Sequence, residues 1–135
     1  MIAIMHYASP PTVGGVESTI YYHALGLAAL GHQVRVVSGR GEPFDDRIDT
    51  LIDPLFGSTH PDVLKVKKEL DQGQVSDDYH TLVDRIYAAI EHALFGCTAC
   101  IVHNIPTLHK SIPFTAALAR YVQTNPIKLI AWCHD

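Results

Sequence analysis

The chain has 135 residues, 47% of them hydrophobic, and a net charge of −4 with acidic and basic residues mixed along its length. That is enough for one domain with its own core and too little for two, and it carries no basic footprint of the kind nucleic-acid binders use. No apolar run approaches the roughly 20 residues of a membrane span, and residues 1–8 lack the basic start and length of a secretion signal, so a cytoplasmic protein is expected.

Ile2 to Met5 is a short apolar run that reads as a strand, followed by His6 and Tyr7. Pro10 and Pro11 then hold the chain extended, because each fixes its own φ and restricts the residue before it; no helix starts before Thr12. Gly14 and Gly15 open the next helix. Lacking Cβ atoms, they let a ligand group approach the main chain beside the free N–H groups of the first turn, where the helix dipole favours an anion without a basic side chain. Glu17, in the first turn, suits the same dipole. The stretch has neither the Gly-Lys-Ser/Thr of a Walker loop nor the G-x-G-x-x-G of a dinucleotide fold, so a phosphate site and a plain tight turn are both open.

Val16, Ile20, Ala24, Leu27 and Ala28 recur at helical spacing for about four turns, and Gly31 stands where a left-handed C-cap belongs. Val34, Val36 and Val37 form a β-branched strand ended by Ser38 and Gly39, and a strand-helix-strand crossover of this length predicts parallel pairing. Between Gly39 and Ser58 only Ile48 to Ile52 reads as a strand, short and at an edge. Ser58 or His60 caps a helix from Pro61 to about Leu70, with Val63, Leu64 and Val66 as its apolar residues. Lys65, Lys67 and Lys68 on it could meet a phosphate or a lipid headgroup at a membrane surface, or simply form a solvated face diluted by Asp62, Glu69 and Asp71.

Ser76 or Asp77 caps the clearest helix, with Leu82, Val83, Ile86, Ala89, Ile90, Ala93 and Leu94 on one stripe and Gly96 at its end. Cys100, Ile101 and Val102 follow as a buried strand that stops at His103-Asn104. Ser111 caps another helix through Ala116, Ala117, Leu118 and Tyr121, with Pro113 in its first turn, and Lys128 to Cys133 is a last strand before His134-Asp135. A strand as apolar as KLIAWC belongs in a sheet interior covered on both faces, which leads to the expectation that the natural polypeptide continues past Asp135.

The three cysteines, Cys97, Cys100 and Cys133, read as reduced thiols. Cys97-x-x-Cys100 precedes a strand instead of opening a helix, so the geometry that activates a redox thiolate is missing and buried structural thiols are expected. A zinc site from Cys97, Cys100, Cys133 and His134 has no second C-x-x-C or H-x-x-x-H to support it.

Strands alternating with helices predict a doubly wound α/β fold, a mostly parallel Rossmann-like sheet with helices on both faces. In such sheets ligands bind outside the carboxyl ends of the strands, near the point where strand order reverses. Those ends carry His6-Tyr7 with the glycine turn, Ser38-Gly39-Arg40, His103-Asn104 and His134-Asp135. Three strands each ending in histidine exceed what structural use alone predicts. His103 and His134 each adjoin a second polar residue and are read as functional. His6 is read first as a ring satisfied by loop backbone, and the other six histidines are left out of the site. Asn104 can donate and accept, as a sugar hydroxyl requires, and Asp135 could orient His134 or accept a hydrogen bond itself.

Taken in order, P-P-x-x-G-G-V-E opening a helix, A-L-G-H-Q-V-R-V-V, a strand ending I-V-H-N and one ending W-C-H-D resemble the N-terminal domain of the family 4 retaining glycosyltransferases of GT-B fold. The likeness runs along the whole chain and is silent over Gly39 to Gln74. It implies two Rossmann-like domains facing a cleft, the acceptor held mainly by the N-terminal one and a nucleotide-diphosphate sugar mainly by the other, with no resident cofactor or metal. It places Gly14 and Gly15 near the donor phosphates and Glu17 just beyond them, towards the acceptor. His134 becomes the catalytic contact to the reacting sugar or acceptor hydroxyl, with His103, Asn104 and Asp135 along the acceptor side. The family's Glu-x7-Glu donor motif would lie in a second domain, so this chain alone is expected to be inactive. Two rival readings are an NAD(P)-dependent oxidoreductase with Arg40 on a 2′-phosphate, and a non-catalytic binding module using the same sheet edge.

Overall fold

In the computed structural model, which describes residues 1–134, five strands form one parallel sheet. They are β1 (Ile2–Met5), β2 (Val34–Ser38), β3 (Ile48–Ile52), β4 (Ala99–His103) and β5 (Lys128–Trp132), in the spatial order β3-β2-β1-β4-β5. Four helices accompany them: α1 (Gly15–Ala29), α2 (Pro61–Asp71), α3 (Asp77–Ala93) and α4 (Ile112–Thr124). This is the predicted Rossmann-like α/β fold. Strand order reverses at β1, which pairs with β2 on one side and β4 on the other.

Side chains alternate across the sheet, so β1 feeds two cores. Ala3 and Met5 join Val37, Cys100 and Val102 under α2, α3 and α4, together with the fully buried Phe56 and Phe114. Ile4 points the other way, to Ile20 and Ala24 of α1 with Val34, Val36 and Ile48. No described helix is long and apolar enough to cross a membrane.

The helix ends follow their sequence signals in part. At the end of α1, Gly31 has φ 91°, its N–H bonds the Ala28 carbonyl at 3.0 Å and the His32 N–H bonds the Leu27 carbonyl at 3.1 Å, which is the Schellman closure the glycine predicts. His60 caps α2, its Nδ1 accepting from the Asp62 N–H at 3.1 Å. Ser76 stands at the α3 N-cap, but its hydroxyl donates to Glu69 Oε1 at 2.9 Å instead of capping. Ser111 precedes α4 with its hydroxyl buried and unpartnered.

One expectation needs correction, the interior place of the last strand, and two further points go beyond the sequence reading. Leu64 is not core: Val63 and Val66, three residues apart, face inward, and Leu64 is turned out to 49% exposure. β5 is not an interior strand but an edge, with Ile130 and Trp132 exposed on the α1 side. The parallel β2–β3 connection contains no helix; Phe44 packs there against the α1 core and against the Tyr21 ring at 5.5 Å, and covers that face in a helix's place.

Beyond β2, the main chain at Gly39 passes so close to Gly57 that a Cβ on Gly39 would overlap the Gly57 backbone, whereas a Cβ on Gly15 would meet nothing. Gly39→Ala is therefore expected to destabilise the fold by about 1–3 kcal/mol or more, and Gly15→Ala to leave stability within about 1 kcal/mol. Urea unfolding of the two variants checks this; equal midpoints would contradict the close approach.

Candidate functional site

The site grows from the reversal point of the sheet. Past β1, the His6 N–H continues the ladder to the Val37 carbonyl at 3.1 Å, and the His6 ring turns to β4, where Nδ1 lies 2.9 Å from the His103 carbonyl. A carbonyl only accepts, so His6 carries its proton on Nδ1 and presents a bare Nε2 to Glu17 Oε1 at 4.0 Å. Burial is the main influence on His6 and pushes its pKa down, while the bond to the His103 carbonyl and the Glu17 carboxylate act the other way.

His103, the last residue of β4, is fully buried, and its Nδ1 lies 2.9 Å from His134 Nε2. One of the two nitrogens holds the proton. Were it His134, His103 Nε2–H would be a buried donor with no partner; with His103 Nδ1–H donating, the unpartnered His103 Nε2 is only an acceptor. Orphaned N–H groups are the rarer fault, so His103 is the donor and a neutral His134 keeps its own proton on Nδ1. Burial, aided by the neighbouring His134, His6 and His23, pushes His103 down to about 4, so it stays neutral at physiological pH.

Asn104 anchors the same corner. It adopts φ 59°, a left-handed conformation that asparagine tolerates better than most residues, and its N–H bonds the Trp132 carbonyl at 3.1 Å while its Oδ1 accepts from the His134 N–H at 2.8 Å. Rings close the corner. His103 stacks with Trp132 (5.7 Å, 27°) and with His134 (5.2 Å, 28°), and His23 of α1 meets Trp132 at 4.4 Å.

Several residues picked out in the sequence thus converge at one rim, with different roles. His134 is exposed and fixed at two atoms. His103 and Asn104 are buried, at 0% and 2% exposure, so in this arrangement they position His134 and do not themselves line an acceptor surface. Gly14 and Gly15 do begin α1, but the Glu17 carboxylate folds over Gly14, where a Cβ would collide with Oε2. An anion already sits at that helix end, and only the Gly15 side is open. Asp135 lies outside the described residues. His6 belongs to the cluster after all. His23 and Trp132 were missed, although His23 continues the spacing Val16, Ile20, His23, Leu27 as a polar residue in an apolar stripe.

The cysteines do not assemble. Cys97 and Cys100 lie at the amino end of β4 and Cys133 beyond the carboxyl end of β5, at opposite sides of the sheet, which rules out the zinc arrangement considered above. Among the described residues no group of three or more His, Cys, Asp or Glu is placed to hold a metal ion. Burial pushes the Cys97 and Cys100 thiols up, opposite to a reactive thiolate. Lys65 and Lys67 are taken up by Asp78 at 2.5 Å and Asp71 at 2.9 Å, as a solvated face requires. Comparison with known proteins brings no relative: no family model, no curated protein and no solved structure matches the chain.

The depressed His103 pKa makes stability depend on pH. The unfolded chain takes up this proton near pH 6.5 and the folded chain only near 4. Stability is therefore complete above pH 6.5, falls by about 3 kcal/mol as pH drops from 6.5 to 4, and then levels off for this residue. Urea unfolding across that range is expected to show the slope in the parent protein and a much shallower one, the remainder from His6, in His103→Asn.

Proposed function

We propose that this chain is the acceptor-side domain of a retaining glycosyltransferase, which moves a sugar from a nucleotide-diphosphate donor to an acceptor hydroxyl. The reading rests on the order of the sequence motifs and on one observation above all. At the carboxyl ends of a parallel sheet stands an exposed imidazole, His134, whose Nε2 and main-chain N–H are both held, at 2.9 and 2.8 Å, and whose Nδ1–H is left to meet an oxygen.

In this reading His134 contacts the reacting sugar or the acceptor hydroxyl as a hydrogen-bond donor of fixed tautomer, and His103 and Asn104 are positioning residues. The departing diphosphate gains negative charge. The open N–H groups beside Gly15 stabilise that charge without a metal, and Glu17, swung off Gly14, is free to accept from an acceptor hydroxyl. The nucleotide sugar is a co-substrate, and the reading requires a second domain in the same polypeptide to bind it. Arg40 favours a dinucleotide as the second reading: it follows β2 and has no ion pair among the described residues, as a 2′-phosphate ligand would need.

In the polypeptide that includes the sugar-nucleotide domain, His134→Ala is expected to lower kcat/KM for sugar transfer by about 10²–10³-fold in a protein that still folds, with its unfolding midpoint lowered because the buried His103 Nδ1–H loses its acceptor, and His134→Gln, which keeps both an acceptor and an N–H donor, to recover part of each. Transfer at the parent rate in His134→Ala, or tight calorimetric binding of NADPH, would overturn the assignment.

A further inference from the structure

Across the reversal point from the histidines, the chain leaving β1, β2 and β3 encloses a cavity of about 230 Å³, lined by Tyr7, Gly39, Arg40, Gly57 and the run Ser58 to Pro61. Tyr7 is only 5% exposed, yet its hydroxyl is buried with no hydrogen-bond partner. A buried phenol left unpaired is destabilising unless something completes it. Burial pushes the Tyr7 phenol up to about 12, so it stays protonated and able to donate.

Arg40 is the charged residue lining the cavity, and the Asp62 carboxylate lies outside the lining, 4.0 Å from His60 Nδ1. Arg35, Arg47, Arg85 and Arg120 each pair with a carboxylate, whereas Arg40 has no ion pair among the described residues. Lys110, likewise without one, lies 5.9 Å above the Tyr7 ring. No carboxylate lines the cavity. His60 accepts from the Asp62 N–H through Nδ1, which leaves its proton on Nε2 as a further donor.

We propose that this cavity binds an oxyanion, the phosphate or carboxylate group of a small polar molecule, with Arg40 supplying the charge and the Tyr7 hydroxyl the buried hydrogen bond. Ser58, Thr59 and His60 add donors from the opposite wall. If the transferase reading holds, the anion is a group on the acceptor, and to that extent this assignment rests on that reading; the binding itself does not depend on it.

The chain is titrated at constant ionic strength with inorganic phosphate and, separately, with acetate, followed by the backbone amide resonances of Arg40 and of residues 57–61. Saturable shifts with one of the two anions are expected, and whichever binds names the group. Arg40→Ala and Tyr7→Phe should each weaken that binding by about tenfold or more, while the melting temperature of anion-free Tyr7→Phe stays level or rises, since it loses a hydroxyl with no partner. No saturable response to either anion, or parent affinity in both variants, overturns the assignment. Sugar transfer enters none of these readouts, so failure here leaves the His134 assignment standing, and failure there leaves this one.

Discussion

The structure depends on β1 having no free edge. Its four residues pair on both sides and face a core on both surfaces, with Ala3, Ile4 and Met5 fully buried. Only an unbroken apolar run satisfies that position, which is why IAIM shows no alternation. The chain must then leave the sheet between two neighbours whose ends stand at the same level. His6 is therefore delivered against the end of β4, and Tyr7 against the loop after β2, whose Gly39 N–H bonds the Tyr7 carbonyl at 3.0 Å. The two halves of the rim are set by this one placement.

On the β4–β5 side, polarity is buried and made tolerable by pairing. His103 would be expensive to bury charged, and its neutral ring is accommodated by the bond to His134 and by aromatic surfaces on Trp132 and His134. Asn104 spends both its backbone N–H and its side-chain oxygen on holding the 132–134 segment. The consequence is an exposed imidazole at an edge strand with little freedom of its own. Side chains that must present one atom to a ligand benefit from that restraint, because the entropy of ordering is lost on folding and not on binding.

Much of the frame was legible in the sequence because it rests on local chemistry: β-branched runs for β2, a glycine that closes α1, a proline that opens α2. The parts that were not legible depend on contacts between distant segments. Leu64 and Val63 look alike in sequence, and only the orientation of α2 on the sheet separates them. Ser76 is a good N-cap by type, but Glu69 competes for its hydroxyl. The convergence of His6, His103 and His134 followed from the carboxyl-end rule, whereas the burial of His103 and Asn104 depends on how β5 and its ring at Trp132 close over them, which no local pattern encodes. His23 shows the opposite case: its spacing places it on the inner stripe of α1, but a rule that selects strand ends passes over a residue within a helix.

The two halves of the rim differ in electrostatic character, and that difference constrains any ligand spanning them. Around His103, whose own ring stays neutral, the side chains offer single directional hydrogen bonds, suited to hydroxyl groups. On the Tyr7 side Arg40 lines the cavity and the Lys110 ammonium lies over the Tyr7 ring, with no carboxylate among the lining residues, suited to an anion. Glu17, beside His6 in the first turn of α1, stands on the histidine side and disfavours an anion there while its carboxylate lies over Gly14. A molecule with hydroxyls at one end and a negative group at the other would therefore bind in one orientation, with its hydroxyls towards His134 and its charge towards Arg40, and the polarity of the rim would decide which hydroxyl is presented.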